Sequence, residues 1–258
     1  MASGLTAAKQ QLRNLMKQKL SAVTSDSVSA QSRKIFERLQ DFQPYVDAQR
    51  ISIYLSMPSG EVQTDAIVRH ALSSGKQVYV PFLHKSALEQ PDSPTRVMDM
   101  VRLRDLQDYE GLKPDRWGIP SLDPSTIHCR QRILGDTNSD SSDVAGLDLM
   151  LLPGVAFDLD DLGVVRRLGH GKGFYDFFMN RYFTKFATLD STVRPILFIG
   201  LALREQLLPG AHGEEIPMGP FDRRLHGLVL GDGRVTESPQ DFKTSPGEPG
   251  GRDARNDS

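Results

Sequence analysis

The feature that most constrains the fold is a stretch in which an apolar run leads through a glycine-rich loop into an aromatic pattern. Its sequence, over residues 151–176, is LLPGVAFDLDDLGVVRRLGHGKGFYD. Leu149–Leu152 predicts a buried strand, which Pro153 and Gly154 end. The aromatic residues that follow recur at every fourth position and predict a helix with one apolar face: Phe174, Phe178, Tyr182 and Phe186. A strand, a loop and a helix in this order favour an α/β fold.

The loop between this strand and this helix has the composition of an anion-binding site. Gly169, Gly171 and Gly173 lack the Cβ atoms that hold a ligand away from the backbone, so successive N–H groups can turn towards an anion. A helix that begins near Gly173 adds the positive end of its dipole. The loop therefore predicts a backbone that binds phosphate.

Charged side chains surround these glycines. Arg167 and Lys172 bracket the loop with positive charge, Asp176 supplies an oxygen that suits magnesium, and Tyr175 offers an aromatic face. The pattern is neither a Walker loop, which requires Ser or Thr after Gly-Lys, nor the dinucleotide fingerprint G-x-G-x-x-G. Each residue alone fits a solvated turn better, but their joint occurrence favours a nucleotide phosphate site.

The segments LPGVAFD and RLGHGKGFYD resemble the signature of the 5-formyltetrahydrofolate cyclo-ligase family, whose members are also called methenyltetrahydrofolate synthetases. The likeness covers residues 5–231, and the combination of its motifs makes it specific. Its further elements are KQQLR at 9–13, the strand at 51–57 with Glu61, MDMVRL at 98–103, Trp117 and Asp222.

The resemblance implies an ATP- and Mg²⁺-dependent ligase of folate one-carbon metabolism. Such an enzyme closes 5-formyltetrahydrofolate, with or without a polyglutamate tail, to 5,10-methenyltetrahydrofolate and releases ADP and phosphate. Transfer of the γ-phosphoryl group to the formyl oxygen activates the formyl carbon, which N10 of the folate then attacks. This route requires mainly positioning and charge neutralisation from the protein.

The resemblance also implies roles for individual residues. It implies a catalytic role for Arg167 and Lys172. It implies ATP contacts for Lys9, Arg13, Arg167, Gly169, His170, Gly171, Lys172, Gly173, Phe174 and Tyr175. Folate contacts are implied for Leu55, Met57, Glu61, Trp117 and Tyr175. Magnesium contacts are implied for Asp176 and Asp222.

The order of the remaining patterns predicts a parallel sheet. Ile51–Leu55 alternates and is rich in β-branched residues, which predicts the first core strand. A helix over 64–74 and a strand over 78–80 follow it and predict a parallel crossover unit. Glu61 lies just after the first strand, at the end where open α/β sheets form their sites.

The domain organisation follows from length and local composition. A chain of 258 residues can bury the core of one large α/β domain. We expect residues 1–231 to form a single domain, a mainly parallel open sheet flanked by helices in a Rossmann-like three-layer arrangement. The polar segment 128–146 is predicted to be a flexible insertion, and residues 232–258 a disordered tail.

Composition excludes several classes of protein. The formal net charge of −2 gives no overall electrostatic attraction to nucleic acid. The single cysteine, Cys129, excludes an internal disulfide and fits a reducing compartment. No apolar run approaches the length of a membrane span. We therefore expect a cytoplasmic monomer whose partner is a small-molecule substrate, without nucleic acid or membrane.

The first 25 residues contain basic side chains but no Asp or Glu, a composition shared with organellar transit peptides, which would indicate a mitochondrial location. A structural helix is the alternative that we favour. Lys9 and Arg13 are four residues apart and would project from one side of it. Its apolar residues recur at helical spacing: Leu5, Ala8, Leu12, Leu15 and Leu20.

Two other functions remain open from the residues alone. A small-molecule kinase could use the same phosphate loop, but it would phosphorylate its acceptor stably, whereas a cyclo-ligase releases phosphate only when a formylfolate is present. A binding module without catalysis would bind ATP and not turn it over. The fold class does not separate these functions, because one fold hosts many activities.

Overall fold

The structure, a computed structural model, describes residues 2–86, 94–135, 146–186, 195–210 and 213–239. Within these residues, one sheet contains β1 (Arg50–Ile53), β2 (Gln77–Lys85), β3 (Arg96–Arg102), β6 (Leu149–Leu152), β9 (Leu197–Ala202), β10 (Gly227–Leu230) and β11 (Val235–Glu237). Two small antiparallel pairs lie outside it: β4 (Lys113–Pro114) with β5 (Pro120–Ser121), and β7 (Ala156–Leu159) with β8 (Val165–Leu168). The strand order in the main sheet is β11-β10-β9-β6-β1-β2-β3.

Helices cover both faces of this sheet. They are α1 (Ala2–Ser21), α2 (Ser25–Gln40), α3 (Gln43–Asp47), α4 (Asp65–Ser73), α5 (Leu106–Glu110) and α6 (Phe174–Phe186), together with 3-10 helices at Pro124–Cys129 and Arg204–Gln206. Val78 and Val80 of β2 pack in one core cluster with α2, α3 and α4, whereas Tyr79 packs in a second cluster with α6. Because side chains alternate along a strand, these two clusters lie on opposite faces. The predicted three-layer α/β fold is confirmed.

The chain reverses its direction across the sheet between β1 and β6. β1 leads through α4 to its parallel neighbour β2 on one side, and β6 leads through α6 to its parallel neighbour β9 on the other side. β1 and β6 are themselves parallel neighbours. A crevice forms at the carboxyl ends of two such strands, and ligands of open α/β sheets bind there.

The predicted flexible insertion over 128–146 is wrong for its first part. Residues 128–135 continue from the 3-10 helix and run along the outer edge of β3, where Ile133 and Leu134 are buried. Their backbone satisfies the unpaired groups of that edge strand, since Arg102 N–H donates to Gln131 O at 2.9 Å and Ile133 N–H donates to Met100 O at 3.0 Å. Residues 136–145 lie outside the described part of the chain.

The predicted tail over 232–258 also begins too early. Residues 232–239 are ordered, because a turn at Asp232 and Gly233 returns the chain as β11, antiparallel to β10. Gly233 has a φ of +89°, which favours glycine, and its N–H donates to Leu230 O at 2.8 Å. Residues 240–258 lie outside the described residues. In the part of the chain that the structure describes, no helix has both the length and the apolar character needed to cross a bilayer.

Candidate active site

The glycine loop is reached through a hairpin that sequence reasoning missed. After β6 the chain forms β7 and β8, and only then enters the loop, so that Arg167 stands near the end of β8. Asp158 and Arg166, opposite each other in the hairpin, form a buried ion pair with distances of 2.7 and 2.8 Å. Asp158 also accepts the Ile216 N–H at 2.7 Å. Charged residues in a buried hairpin give no apolar alternation, so the pattern predicted turns here.

The loop then curls as its glycines predict. Gly171 and Gly173 have φ values of +94° and +67°, in the left-handed region, and α6 begins directly afterwards at Phe174. The predicted helix start near Gly173 is confirmed. His170, Gly171, Lys172 and Gly173 are exposed, so their backbone is open to a ligand.

Arg167 lies at the centre of the site. Its side chain is only 3% exposed, and Nη2 donates to Asp176 Oδ2 at 2.7 Å while Nη1 donates to Pro153 O at 3.2 Å. Its guanidinium carbon lies 5.5 Å from the centroid of the Tyr175 ring. Among the described residues its buried Nε has no hydrogen-bond partner. Arg167 thus connects the end of β6, the loop and the first turn of α6.

Helix α1 brings two further cations to the site, one to the Asp222 turn and one to the glycine loop. Lys9 forms an ion pair with Asp222, and Arg13 Nε donates to Gly169 O at 2.8 Å. A Cβ atom at position 171 would lie 3.2 Å from the Arg13 guanidinium, so Gly171 also leaves space for that side chain. The helix that we favoured over a transit peptide for these residues is present. Both predicted side chains project from one side of it, Lys9 to Asp222 and Arg13 to the loop.

The two exposed basic residues of the loop differ in their surroundings. Partial desolvation lowers the pKa of His170, and the charges of Arg167 and Arg13 lower it further, so the imidazole is neutral at physiological pH. The Lys172 ammonium is exposed and makes no hydrogen bond or ion pair within the described residues. Lys172 is therefore available to an incoming anion without breaking an existing interaction.

The two predicted metal ligands are linked through the turn that carries Asp222. Asp176 Oδ1 accepts the Arg223 N–H at 3.0 Å, and since Arg223 follows Asp222, the two carboxylates come from adjoining positions. Asp222 Oδ2 accepts the Gly219 N–H at 2.5 Å as well as pairing with Lys9.

Their oxygens fit a magnesium ion whose shell is completed by phosphate and water. An ionised carboxylate has about four lone-pair directions, so each acid keeps free positions beside the hydrogen bonds just described. Within the described ranges there is no group of three or more His, Cys, Asp or Glu that could hold a metal alone. Mg²⁺ characteristically uses one or two protein carboxylates together with substrate phosphates, and Asp176 and Asp222 can supply the two carboxylates.

The predicted folate residues lie across the crevice, after β1. Glu61 is 5% exposed, and its Oε1 accepts the Met57 N–H at 2.6 Å. Burial raises the pKa of Glu61 to about 7, which the Met57 hydrogen bond opposes. Burial raises the pKa of Tyr175 as well, and the neighbouring Glu61 charge adds to it. Leu55 and Tyr175 pack in the same core cluster, so Leu55, Met57, Glu61 and Tyr175 lie in one region of the structure.

Trp117 is the predicted folate-binding residue whose contact with the crevice is weakest. Its ring is 55% exposed and lies 3.9 Å from the Arg116 guanidinium carbon, measured to the ring centroid. Its loop packs on the Glu61 loop, because a Cβ atom at Gly118 would lie 2.7 Å from Pro58 Cγ. The loop therefore borders the crevice, but the indole ring does not line an enclosed pocket in this structure.

Sequence reasoning missed the residues that hold the acids in place. Gln63 Nε2 donates to Met57 O at 2.9 Å and to Glu61 O at 3.0 Å, which closes the loop around Glu61. Asn180 and Arg223 connect α6 to the turn that carries Asp222. Asn180 could have been found, since it lies four residues after Asp176 and so on the same helix face.

Comparison with known proteins gives consistent matches along the chain. The sequence profile of the 5-formyltetrahydrofolate cyclo-ligase family matches residues 5–231. A Caenorhabditis elegans protein named "Probable 5-formyltetrahydrofolate cyclo-ligase" is 32% identical over 227 residues, which cover 88% of this chain and 94% of that protein. The 5-formyltetrahydrofolate cyclo-ligase of Saccharomyces cerevisiae is 30% identical over 235 residues, covering 89% and 98%.

A solved structure supports the fold. The structure of Aquifex aeolicus 5,10-methenyltetrahydrofolate synthetase aligns with a TM-score of 0.56 and covers 91% of this chain and 96% of its own. The identity over that alignment is 19%, so the likeness is one of architecture.

Proposed function

The chain belongs to the 5-formyltetrahydrofolate cyclo-ligase family, and from this premise we propose how its residues carry out the reaction. The protein is a 5-formyltetrahydrofolate cyclo-ligase of folate metabolism. Members of the family are ATP-dependent ligases. The residue roles below are our proposal, and the geometry of the crevice between β1 and β6 supports them.

The chemical problem is a formamide carbon that is a poor electrophile with a poor leaving group. Transfer of the γ-phosphoryl group from ATP to the formyl oxygen corrects both faults, and the by-product is ADP. N10 then attacks the formyl carbon, and the former formyl oxygen departs within inorganic phosphate, which leaves 5,10-methenyltetrahydrofolate. N10 is a neutral amine, so no base is required to make it nucleophilic, and the N10–H proton leaves to the departing phosphate or to water after the new C–N bond has formed.

The glycine loop and three cations would hold the triphosphate. Arg13 and Arg167 are fixed by hydrogen bonds to Gly169 O and Pro153 O, so their charges are positioned before a ligand arrives. Lys172, which has no competing contact within the described residues, would neutralise charge that develops on the transferred group. Backbone N–H groups at Gly171 and Gly173, beside the start of α6, add further donors.

Asp176 and Asp222 would hold magnesium. When bound there, the ion neutralises phosphate charge and orients the triphosphate. Asp176 lies in the first turn of α6 and Asp222 on the facing turn, and their hydrogen bonds to Arg167 and to Gly219 N–H orient both carboxylates.

The folate would bind across the crevice from the loop. Glu61 is placed to accept two parallel N–H bonds from a pterin ring, because its position is fixed by the Met57 N–H and by Gln63. Tyr175 supplies a ring surface between Glu61 and Arg167, so the formyl group and the γ-phosphate would meet above it. Leu55 and Met57 border the same space, with the Trp117 loop at its outer side.

The observation that carries this proposal is that charged residues far apart in the sequence are paired around the glycine loop and the Asp222 turn. The Lys9–Asp222 and Arg167–Asp176 pairs join α1, β8, α6 and the turn before β10. Packing of a hydrophobic core does not require charged side chains to converge at an exposed glycine loop, whereas binding of a magnesium triphosphate does.

The test is to mix the protein with 5-formyltetrahydrofolate and magnesium ATP and to follow the methenyl chromophore. We expect turnover in the wild type and a loss of roughly 100-fold or more in Lys172→Ala and in Asp176→Asn, as for other single charge-stabilising groups. Far-UV circular dichroism checks that both variants fold. Wild-type rates in either variant would remove the assignment, and stable phosphorylation of an acceptor would indicate a kinase instead.

A further inference from the structure

The turn that carries Asp222 packs against one face of α6. Asp176, Asn180 and Phe183 are spaced i, i+4 and i+7 and so lie on one helix face. All three contact the same residue, Arg223. Its N–H donates to Asp176 Oδ1 at 3.0 Å, its Nε donates to Asn180 Oδ1 at 2.7 Å, and its guanidinium carbon lies 4.8 Å from the centroid of the Phe183 ring.

Asn180 holds this turn on both sides of Asp222. Its Nδ2 donates to Phe221 O at 3.1 Å, and its Oδ1 accepts from Arg223. One neutral amide therefore uses both its donor and its acceptor to fix the residue before Asp222 and the residue after it.

We propose that Asn180 is a positioning residue that sets the distance between the Asp176 and Asp222 carboxylates and thereby the affinity of the site for a divalent cation. The inference rests on the proposed function, in which these two acids hold magnesium. Asn180 does not touch the metal in this scheme; it acts through the backbone of the turn.

The physical reason is the narrow geometric tolerance of magnesium. Mg²⁺ requires nearly octahedral coordination at about 2.0–2.1 Å, so a small displacement of one carboxylate weakens binding. Without Asn180 the turn keeps the Asp176–Arg223 hydrogen bond and the Lys9–Asp222 pair, but neither fixes Phe221. The turn would remain in place and lose its exact separation from α6. The loss should therefore appear in metal affinity and not in folate affinity.

The experiment compares Asn180→Leu, which keeps the volume and removes both hydrogen bonds, with the full-length wild type. Mn²⁺ binding is measured by electron paramagnetic resonance in the presence of ATP, and we expect about tenfold weaker binding, as for other partners that orient metal ligands. In steady state the Mg²⁺ concentration for half-maximal rate should rise by a similar factor. Saturating Mg²⁺ should restore kcat, and KM for the folate should not change.

Controls separate this inference from a general effect on the fold. Asn14→Leu removes a comparable exposed amide of α1, which accepts from Gln10 Nε2 at 3.1 Å, and should leave Mn²⁺ affinity unchanged. Asn180→Gln keeps both polar groups on a longer side chain and should give intermediate affinity. If Asn180→Leu does not fold, Asn180→Ala answers the same question.

The outcomes also separate this inference from the proposed function. Wild-type Mn²⁺ affinity in a folded Asn180 variant overturns the role of Asn180, provided that Asp222→Asn weakens binding. Unchanged Mn²⁺ affinity in both Asp176→Asn and Asp222→Asn overturns the metal site itself. A lower kcat that saturating Mg²⁺ does not restore, with unchanged metal affinity, also overturns the inference.

Discussion

Glu61 is a buried carboxylate whose charge conflicts with its surroundings. It is 5% exposed and accepts a single hydrogen bond that the structure records, from the Met57 N–H. Burial raises its pKa from 4.5 to about 7, which means that folding favours the protonated acid. The stability that this group contributes is therefore fully present below pH 4.5 and is lost as the pH rises through about 7.

This shift predicts a pH-dependent effect of Glu61→Gln. Glutamine keeps the acceptor for the Met57 N–H but carries no charge, so it avoids the cost of burying a carboxylate. We expect the free energy of unfolding of the variant, relative to the wild type, to rise by roughly 2–3 kcal/mol between pH 5 and pH 8. Urea denaturation at both pH values measures this. Glu37→Gln, at an exposed position of α2, is the control, and parallel pH curves for all three proteins would contradict the prediction.

At the scale of single residues, the sequence predicts the position of a side chain well where a local rule, such as helical spacing, applies. The spacing of Lys9 and Arg13 on a helix correctly places both on one side, and in the structure that side faces Asp222 and the glycine loop. The exposure of Trp117 follows from how its loop packs on Pro58, and no local pattern contains that contact. The contribution of Gln63 is equally invisible in sequence, because its partners are backbone carbonyls.

At the scale of elements, the geometry of the glycine loop predicts different ATP affinities for two Gly→Ala variants whose backbone strain is similar. Gly171→Ala and Gly163→Ala both place a side chain at positive φ, +94° and +77°, and each should cost about 1–2 kcal/mol of stability. Only at position 171 does the new Cβ meet another group, the Arg13 guanidinium at 3.2 Å. We expect ATP affinity to fall by roughly tenfold in Gly171→Ala, about the worth of one charge-assisted hydrogen bond.

Equilibrium binding of ATP, measured by calorimetry, tests this contrast. Gly163→Ala should bind ATP as the wild type does, since nothing lies within 4 Å of its new Cβ. Equal losses of affinity in the two variants would show that general strain, and not the displacement of Arg13, is responsible.

The ring of Phe157 packs the β7–β8 hairpin against β9 of the sheet. Phe157 is fully buried, and a Cβ atom at Gly200 of β9 would lie 2.6 Å from its ring and 2.8 Å from the Leu228 side chain. Gly200→Ala should therefore destabilise the protein by about 1–3 kcal/mol through overpacking. In the Phe157→Leu background the same substitution should cost less, and a double-mutant cycle from denaturation curves gives the difference. Strict additivity would mean that Phe157 is not the obstacle.

Elements differ in how far sequence predicts them. α6 is predicted because its aromatic residues recur at helical spacing, and the structure buries Phe178 and Tyr182 on that face. The hairpin escapes prediction because its strands have four residues each and carry the buried Asp158–Arg166 pair. That pair becomes interpretable only when the partner strand is known.

For the whole molecule, the ordered residues after 231 predict different results for two truncations. A chain that ends at Pro239 keeps β11 and Ser238, whose Oγ accepts the Val165 N–H at 3.0 Å and donates to Leu225 O at 2.7 Å. We expect it to match the full chain in activity and in thermal midpoint. A chain that ends at Gly231 loses both hydrogen bonds and the edge strand, and should lose roughly 2 kcal/mol or more of stability.

Thermal denaturation and the methenyl assay on both truncations test this expectation. A large loss of activity on removing only residues 240–258 would show that this segment takes part in the reaction. Equal stability of the two truncated chains would show that β11 contributes little.

The class of the whole fold is predictable, whereas its strand order is not. Alternation of strands and helices predicts a parallel sheet, but the placement of β6 beside β1 depends on pairing between residues almost 100 positions apart, such as Ile51 with Leu149. This pairing creates the reversal at which the crevice opens. Pattern rules operate over windows of one element, so they cannot determine it.

The contact between Lys9 and Asp222 joins residues 213 positions apart, and this has a consequence for biosynthesis. During synthesis Lys9 of α1 leaves the ribosome 213 positions before Asp222, and until the turn that carries Asp222 emerges Lys9 lacks its acidic partner. A nascent chain can build most of the sheet and remain inert. The appearance of activity during translation would thus report the emergence of the turn that carries Asp222.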